Sequence, residues 1–310
     1  MGFDDSVLIC DKVDPVLNKI LSENGLQVTY EPEITPEQIQ EKIDKFNIVI
    51  VRSRTKITKE IIEKAKNCKI IARVGVGLDN IDLDTAKVKN IRVINAVEGA
   101  MTAVAEQVLG LMLSLARNIA RADREIRNGN WLKKELMGTE LKGKYLGIVG
   151  LGNIGKRLGR LAKGLNMNII GYDVIPIDEE FAKEVGLMKT DLDTLLQSSD
   201  YVSLHVPLLD STYHMIDAQK LAIMKSTAKI INTSRGGVID EKALYDAIKN
   251  GNLGGAALDV FEKEPATDSP LTTLPNVILT PHIGAQTKEA QSLAANVIAE
   301  KIIQILRGVI

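Results

Sequence analysis

Aromatic residues are scarce in this chain: four Phe, six Tyr and one Trp, 4% of 310 residues. A core with so few rings has to be packed from Ile, Leu, Val and Ala, and a hydrophobic share of 45% makes that possible. Cysteine is scarcer, at two. Cys10 and Cys68 each lie in or beside an apolar run and outside any C-x-x-C pair, so both read as buried, reduced thiols of a cytoplasmic protein. Neither sign of charge is in excess: 39 Lys and Arg against 40 Asp and Glu leave a net charge of -1. That argues against a protein whose main business is nucleic acid, which needs a basic face. A long uninterrupted apolar run is missing too. The longest, 103–116, contains Glu106 and Gln107 and falls short of a membrane span. The N-terminal MGFDDSVLIC is acidic and too short in its apolar part for a signal peptide. The expectation is a soluble protein with no nucleic-acid or membrane partner, long enough for two domains.

What the chain does contain is a regular alternation of short β-branched runs with longer helical patterns. Strand candidates fall at 6–10, 28–30, 47–52 and 69–73, and a helix over 35–45 opens with Thr35 and Pro36, a capping residue followed by a proline at the first helical position. The alternation restarts after Lys144 with candidates at 145–149, 168–173, 201–206, 229–233, 256–260 and 277–280. Strand–helix alternation implies parallel sheets covered by helices on both faces, hence an α/β protein with a smaller sheet followed by a complete doubly wound one. Between the two blocks, 101–127 reads as one long connecting helix, apolar nearly all round and packed at a domain or subunit interface. A second long helix, 287–306, closes the chain.

The second block opens with YLGIVGLGNIGKRLG, which places Gly150-x-Gly152-x-x-Gly155 between a strand and a helix. In that context the first glycine allows the tight turn and the second lets backbone approach a pyrophosphate facing the helix N-terminus. The third permits close helix–strand packing. The next strand ends in Asp173, an acid placed to accept hydrogen bonds from ribose hydroxyls and to repel a 2′-phosphate. No Arg follows it closely, so NAD is favoured over NADP.

Three later strand ends carry reactive side chains: Arg235 in AKIINTSRGG, Asp259 and Glu264 in GAALDVFEKEP, and His282 in NVILTPHIGA. Taken singly, Arg235 reads equally as a surface ion pair, Glu264 as a solvated loop acid and His282 as a capping side chain. Carboxyl ends of strands in one open parallel sheet border the same crevice, however, and the trio then suits a 2-hydroxy or 2-keto acid. The Arg fork binds the carboxylate, the His exchanges the hydroxyl proton, and the Glu holds the imidazole in one tautomer. His205 also follows a strand and is placed with Val206 on the cofactor's side, with mere packing an equal reading; His214 reads as structural. No histidine pair has metal-ligand spacing, so no metal is expected. In the first block Arg52 ends a strand, and Gly75-Val76-Gly77 exposes backbone amides suited to an anion. Arg52, Arg54 and Arg73 suggest a second negative group on the substrate, with a solvated surface an equal reading for Arg54.

RVGVGLDNID, LGIVGLGNIGKRLG, INTSRGGVIDEKAL, GAALDVFEKEP and TPHIGAQTKEA together resemble the signatures of the D-isomer-specific 2-hydroxyacid dehydrogenases, and the likeness runs over nearly the whole chain. WLKKELMGTELKGKYLGIVGLG and VRSRT are most similar to the branch that acts on D-3-phosphoglycerate. The resemblance implies Arg235, Glu264 and His282 as the catalytic set. It implies cofactor contacts at Asn153, Ile154, Asp173, Val206, Thr233, Ser234 and Asp259, besides the three glycines. Val76, His205, Pro207, Arg235, His282 and Gly284 complete the cofactor candidates; Arg52, Ser53, Arg73, Gly75, Val76, Gly77 and Arg235 are the substrate candidates. It also implies a Rossmann NAD-binding domain over 99–286, a smaller flavodoxin-like substrate domain built from 1–98 and 287–310, and a homodimer formed through the nucleotide domain. The expected reaction is NAD-dependent oxidation of D-3-phosphoglycerate to 3-phosphohydroxypyruvate, the first step of serine biosynthesis. Glyoxylate or hydroxypyruvate reduction is the nearest alternative, and an NAD-sensing, corepressor-like binding protein is the alternative of another class. Longer members carry C-terminal regulatory domains that sense serine; this chain stops at Ile310, so inhibition through such a domain is not expected.

Overall fold

The computed structural model describes residues 5–309. The first four residues of the stretch weighed as a signal peptide therefore lie outside the described residues. The chain divides into two compact units, Met1–Met101 with Ala285–Ile310, and Thr102–Gly284.

In the first unit β1 (Ser6–Ile9), β2 (Gln27–Tyr30), β3 (Ile48–Val51), β4 (Ile70–Arg73) and β5 (Arg92–Asn95) form a parallel sheet in the order β2-β1-β3-β4-β5. This is the flavodoxin-like order. Alternate side chains of a strand point to opposite faces. Val7, Ile9, Ile48, Ile50, Ile70 and Ala72 accordingly enter one core, while Leu8, Val49, Val51 and Ile71 enter the other. The first core is closed by helices Pro15–Glu23 and Lys288–Leu306; the latter contributes Ala294, Ala295, Ile298, Ala299 and Ile302.

In the second unit β6 (Tyr145–Val149), β7 (Asn168–Tyr172), β8 (Met188–Lys189), β9 (Tyr201–Leu204), β10 (Lys229–Asn232), β11 (Gly255–Leu258) and β12 (Val277–Leu279) are again parallel, in the order β12-β11-β10-β9-β6-β7-β8. The order reverses at β6, whose neighbours are β7 and β9, which makes the carboxyl end of β6 the topological switch point where ligands of open α/β sheets bind. The same alternation divides Val149, Ile230 and Ala256 from Ile148, Ile231 and Ala257.

The sequence places neither β5 nor β8, although it leaves a fifth strand in the first block open. β5 and β8 are both edge strands; β8 has two residues, and β5 is flanked by the polar Arg92 and Asn95, so neither shows an apolar run. The helix expected over 101–127 is two helices, Val97–Arg117 and Ile119–Arg127, parted at Asn118 with φ 55°. Asparagine tolerates this left-handed conformation, so no Gly or Pro marks the break. Val97–Arg117, at 21 residues, is longer and more continuous than the apolar run read from the sequence, and by length and composition it matches a bilayer span. Of its apolar stretch 56% is buried, with Ala105, Val108, Met112, Leu115 and Ala116 in a core of the second unit. That is how a core helix of a globular unit behaves.

Helix Asn153–Gly164 lies so close to β6 that a Cβ at Gly155 would stand 2.2 Å from the Gly150 carbonyl oxygen. Gly155→Ala should therefore destabilise by about 1–3 kcal/mol through overpacking. Gly164→Ala, at the far end of the same helix where an added Cβ meets nothing within 4 Å, should stabilise by up to about 0.5–1 kcal/mol. Urea unfolding midpoints of the two variants should move in opposite directions.

Candidate active site

The second unit gathers its polar side chains at the carboxyl ends of β6, β7, β9, β10, β11 and β12. After β6 the chain turns through Gly150, at φ 93°, into helix Asn153–Gly164, whose N-cap Gly152 makes no side-chain cap hydrogen bond. The first-turn amides are thus left facing outward with the positive end of the helix dipole. The turn is held from two sides. The Leu151 amide donates to Asp173 Oδ2 at 2.6 Å, and a Cβ on Gly150 would stand 2.8 Å from the His205 carbonyl oxygen and 3.1 Å from Val206 Cγ1. Asp173, His205 and Val206 are therefore gathered around the glycine turn. Asp173 Oδ1 also accepts from the Ile175 amide at 3.0 Å. Beyond it Val174 and Ile175 are 85% and 69% exposed, so apolar side chains flank this acid.

His205 has crowded surroundings although the residue keeps some exposed surface; its Nε2 lies 2.8 Å from Ser203 Oγ. Burial pushes its pKa down to about 4. Its ring is neutral at pH 7.

After β10 the turn carrying Thr233, Ser234 and Arg235 is fastened by Asn232, which is 1% exposed. Asn232 Oδ1 accepts from the Ser234 amide at 3.0 Å and from its hydroxyl at 2.8 Å, while Nδ2 donates to the Arg235 carbonyl at 2.8 Å. Arg235 is half-buried and bonds the Ser234 carbonyl through Nη1 at 2.7 Å. Thr233 Oγ1 is buried with no hydrogen-bond partner among the described residues. A buried hydroxyl left in this state calls for a ligand polar group. A Cβ on Gly152 would meet nothing within 4 Å, so there is room above the turn as well. These residues fit a dinucleotide.

The loops after β11 and β12 are fixed to each other by Asp259, only 1% exposed. Its carboxylate accepts from Thr280 Oγ1 at 2.6 Å, the Ile283 amide at 2.9 Å and the Gly284 amide at 2.8 Å. This web holds His282 at φ 52°, with its ring turned to Glu264: Nδ1 stands 3.0 Å from Oε2 and 3.2 Å from Oε1. The two side chains are 50% and 39% exposed, and among the described residues His282 Nε2 has no hydrogen-bond partner. A histidine whose Nδ1 faces a carboxylate while Nε2 stays open has the arrangement of a general acid–base. Asn232 and Thr280 carry no signal in the sequence, because both lie in strand ends that read simply as apolar. His214, taken as structural, stacks on Tyr213 at 4.0 Å and bonds Glu262 through Nε2 at 3.1 Å.

In the first unit the candidates separate. Asp11, 2% exposed, accepts from the amides of Arg52 and Thr55, from Thr55 Oγ1 at 2.6 Å and from Arg54 Nε at 3.0 Å. Arg54 also caps the carbonyls of Cys10, Pro32 and Ile34, so its role is to hold the loop. Arg52 forms no salt bridge among the described residues; its Nη1 bonds only the Lys12 carbonyl, at 3.2 Å. Ser53 beside it is exposed. Arg73 folds back onto the Gly77 carbonyl of its own loop, and Asn95 Nδ2 donates to the Val76 carbonyl at 2.6 Å. Gly75 spends its amide on the Arg73 carbonyl, whereas the amides of Val76 and Gly77 make no hydrogen bond among the described residues.

Residues 109–284 match the sequence model of the D-isomer specific 2-hydroxyacid dehydrogenase, NAD binding domain. The chain is similar to the D-3-phosphoglycerate dehydrogenase of Methanocaldococcus jannaschii, 47% identical over 303 residues that cover 97% of this chain and 57% of that one. It is similar also to the hydroxypyruvate reductase of Thermotoga maritima, 45% identical over 97% of this chain and 98% of that one. Among solved structures it resembles D-lactate dehydrogenase from Aquifex aeolicus complexed with NAD and lactic acid: TM-score 0.85 and 29% identity, covering 98% of this chain and 96% of that one. The chain spans little more than half the length of the D-3-phosphoglycerate dehydrogenases it matches.

The lowered pKa of His205 has a consequence for stability. Between pH 6.5 and about 4 the unfolded chain takes up a proton at this residue that the folded protein refuses, so acidification through that window favours unfolding. His205→Gln should flatten the fall of unfolding free energy there by up to about 1.4 kcal/mol per pH unit. Denaturant titrations at pH 7, 6, 5 and 4.5 measure it; parallel curves for the two proteins would contradict the assignment.

Proposed function

The chain belongs to the D-isomer-specific 2-hydroxyacid dehydrogenases, and on that premise we propose that it is an NAD-dependent enzyme oxidising D-3-phosphoglycerate to 3-phosphohydroxypyruvate, the first step of serine biosynthesis. The observation that carries the reading is the His282–Glu264 pair, Nδ1 to Oε2 at 3.0 Å, on loops two strands or fewer from the Arg235 turn. Bound NAD supplies the acceptor for the hydride that leaves C2. The chain's own residues do the rest. His282 Nε2 takes the hydroxyl proton, and Glu264 fixes the Nδ1–H tautomer and stabilises the imidazolium that forms. Arg235 binds the substrate carboxylate with its planar fork. Asp173 receives the ribose hydroxyls, and the two residues that follow it, Val174 and Ile175, offer no cation to a 2′-phosphate.

The proposed partner of the substrate phosphate is Arg52. Burial pushes its guanidinium pKa down while Asp11 pulls it up, and it has no carboxylate partner among the described residues. A partly desolvated cation in that state gains from an arriving dianion. The amides of Val76 and Gly77 are the second anion-binding group. Hydroxypyruvate reduction is the alternative that the Thermotoga maritima relative brings into view, at nearly the same identity as the D-3-phosphoglycerate dehydrogenase. A cytoplasmic homodimer completes the reading. It is supported by Ile119, Ile126, Trp131 and Met137, apolar side chains 54%, 54%, 77% and 86% exposed on one stretch of the second unit, and light scattering decides it.

His282→Asn should bind NAD as the wild type does and lose roughly 10²–10⁴-fold in turnover. Near-normal turnover on every member of a panel of 2-hydroxy and 2-keto acids would falsify the acid–base role.

Arg52→Ala should lower kcat/KM for 3-phosphoglycerate by about ten- to a hundredfold, the loss of one charge-assisted hydrogen-bonding partner. The value for unphosphorylated hydroxypyruvate should change little. Equal losses on both substrates make Arg52 structural and remove the support for a phosphorylated substrate.

A further inference from the structure

Glu264 sits on a loop whose residues are largely solvent-exposed, yet it has to present its carboxylate to His282 within hydrogen-bond distance. Exposed loops are soft, and displacement of a catalytic group by about 1 Å can cost as much as a hundredfold in rate. The loop therefore needs a fastening, and the structure contains one that the proton transfer does not use. The Glu262 amide donates to Glu241 Oε1 at 2.6 Å, and the Glu241 amide donates back to Glu262 Oε1 at 3.0 Å. Glu241 is the first residue of helix Glu241–Lys249, which follows the Arg235 turn in sequence. His214 Nε2 bonds the same Glu262 oxygen at 3.1 Å, and its Nδ1 lies 4.0 Å from Asp240 Oδ2. Beneath this the backbone of Phe261 and Glu262 rests directly on Gly236: a Cβ there would stand 1.9 Å from the Phe261 carbonyl carbon. Phe261 in turn donates its amide to Glu264 Oε1 at 3.2 Å.

We propose that Glu241 and Glu262 are positioning residues: their exchanged carboxylate–amide bonds, with His214 clasping Glu262, hold the loop of Glu264 against the loop of Arg235 and so set the approach of Glu264 to His282. The proposal rests on the acid–base reading of His282 and Glu264 given above. Burial raises the pKa of Glu241; the Glu262 amide that donates to it lowers it, and the neighbouring carboxylates of Glu262 and Glu264 raise it again, so three acids are crowded here. What the crowding yields is a doubly hydrogen-bonded attachment beside the Gly236 contact. Arg235 and Glu264 then keep a constant separation although each lies on a loop.

The test is steady-state kinetics of Glu262→Ala, Glu262→Gln and Glu264→Gln, and of the double variant Glu262→Ala/Glu264→Gln, across pH. Glu262→Ala should lower kcat by about ten- to a hundredfold with KM for NAD within about twofold. It should also move the acid limb of the oxidation profile to lower pH, because an imidazolium less well supported by Glu264 gives up its proton sooner. Glu262→Gln keeps an oxygen for the Glu241 amide and should recover most of the loss. In the double variant the Glu262→Ala change should add almost nothing, since the group it positions is already altered. Glu241→Ala opens the same attachment from the other element and gives the same readings should Glu262→Ala fold poorly. Additive losses, or a fall in melting temperature with kcat and the pH profile unchanged, would overturn the proposal. An unchanged profile in Glu264→Gln itself would overturn the acid–base pair, and the positioning role with it; a shifted profile there beside an unchanged one in Glu262→Ala overturns the positioning role alone.

Discussion

A carboxylate withdrawn from water must have its lone pairs filled by donors, or it is lost as a charge. That requirement, met at Asp259, shapes the candidate active site. Its three donors come from Thr280, Ile283 and Gly284, on both sides of His282, and they close the chain into a loop in which His282 has little choice of position. The left-handed backbone at His282 costs on the order of 1 kcal/mol or more, and the surrounding hydrogen bonds hold it there. The first unit applies the same device. Asp11, one residue beyond Cys10 at the end of β1, collects the amides of Arg52 and Thr55 and thereby shapes the loop after β3. In each unit a buried aspartate after one strand organises the loop after its neighbour in the sheet, and in each that loop presents a candidate site residue.

The regular parts of this architecture were legible because burial on both faces of a parallel sheet demands continuous apolar runs, and IVIV at 48–51 or YLGIV at 145–149 shows one plainly. β5 and β8 escaped because an edge strand is released from that demand. The break at Asn118 escaped because asparagine enters the left-handed region without a glycine to announce it. At the site, Arg235, Glu264 and His282 stood out as ionisable residues just past apolar strands, and the structure places His282 and Glu264 in contact. Of the supporting residues, Asp259 stood out only as a cofactor contact, and Asn232 did not stand out. Asn232 and Asp259 act through several simultaneous hydrogen bonds to residues up to 25 positions away, and no local pattern encodes such a web. The first-unit arginines could be sorted only with partners in view: Arg54 is bound to Asp11 and to carbonyls of the loops after β1 and β2, Arg73 reaches the Gly77 carbonyl of its own loop, and the Arg52 guanidinium forms no salt bridge among the described residues.

Environment, more than residue type, separates the two histidines that follow strands. His205 and His282 both follow a strand of the same sheet. His205 is crowded, paired with a hydroxyl and held uncharged, whereas His282 is half exposed and faces a carboxylate. One imidazole is thereby held by packing and a hydroxyl, and the other suits proton exchange. The difference arises from whether the residue after the strand continues inward or turns out onto a loop.

Helix Lys288–Leu306 belongs to the unit that begins at the N-terminus, while 183 residues of the other unit lie in between. This sets an order of events during synthesis. The apolar face of the five-stranded sheet that Ala294, Ile298 and Ile302 cover is complete in strands once Asn95 has emerged, but its cover arrives nearly 200 residues later. At about 5–20 residues per second that interval lasts roughly 10–40 s, long compared with hydrophobic collapse. The second unit is a single continuous stretch and can complete its core in the meantime. The first must wait with an oily surface open to neighbours or chaperones, so it is the nascent chain's window of greatest exposure.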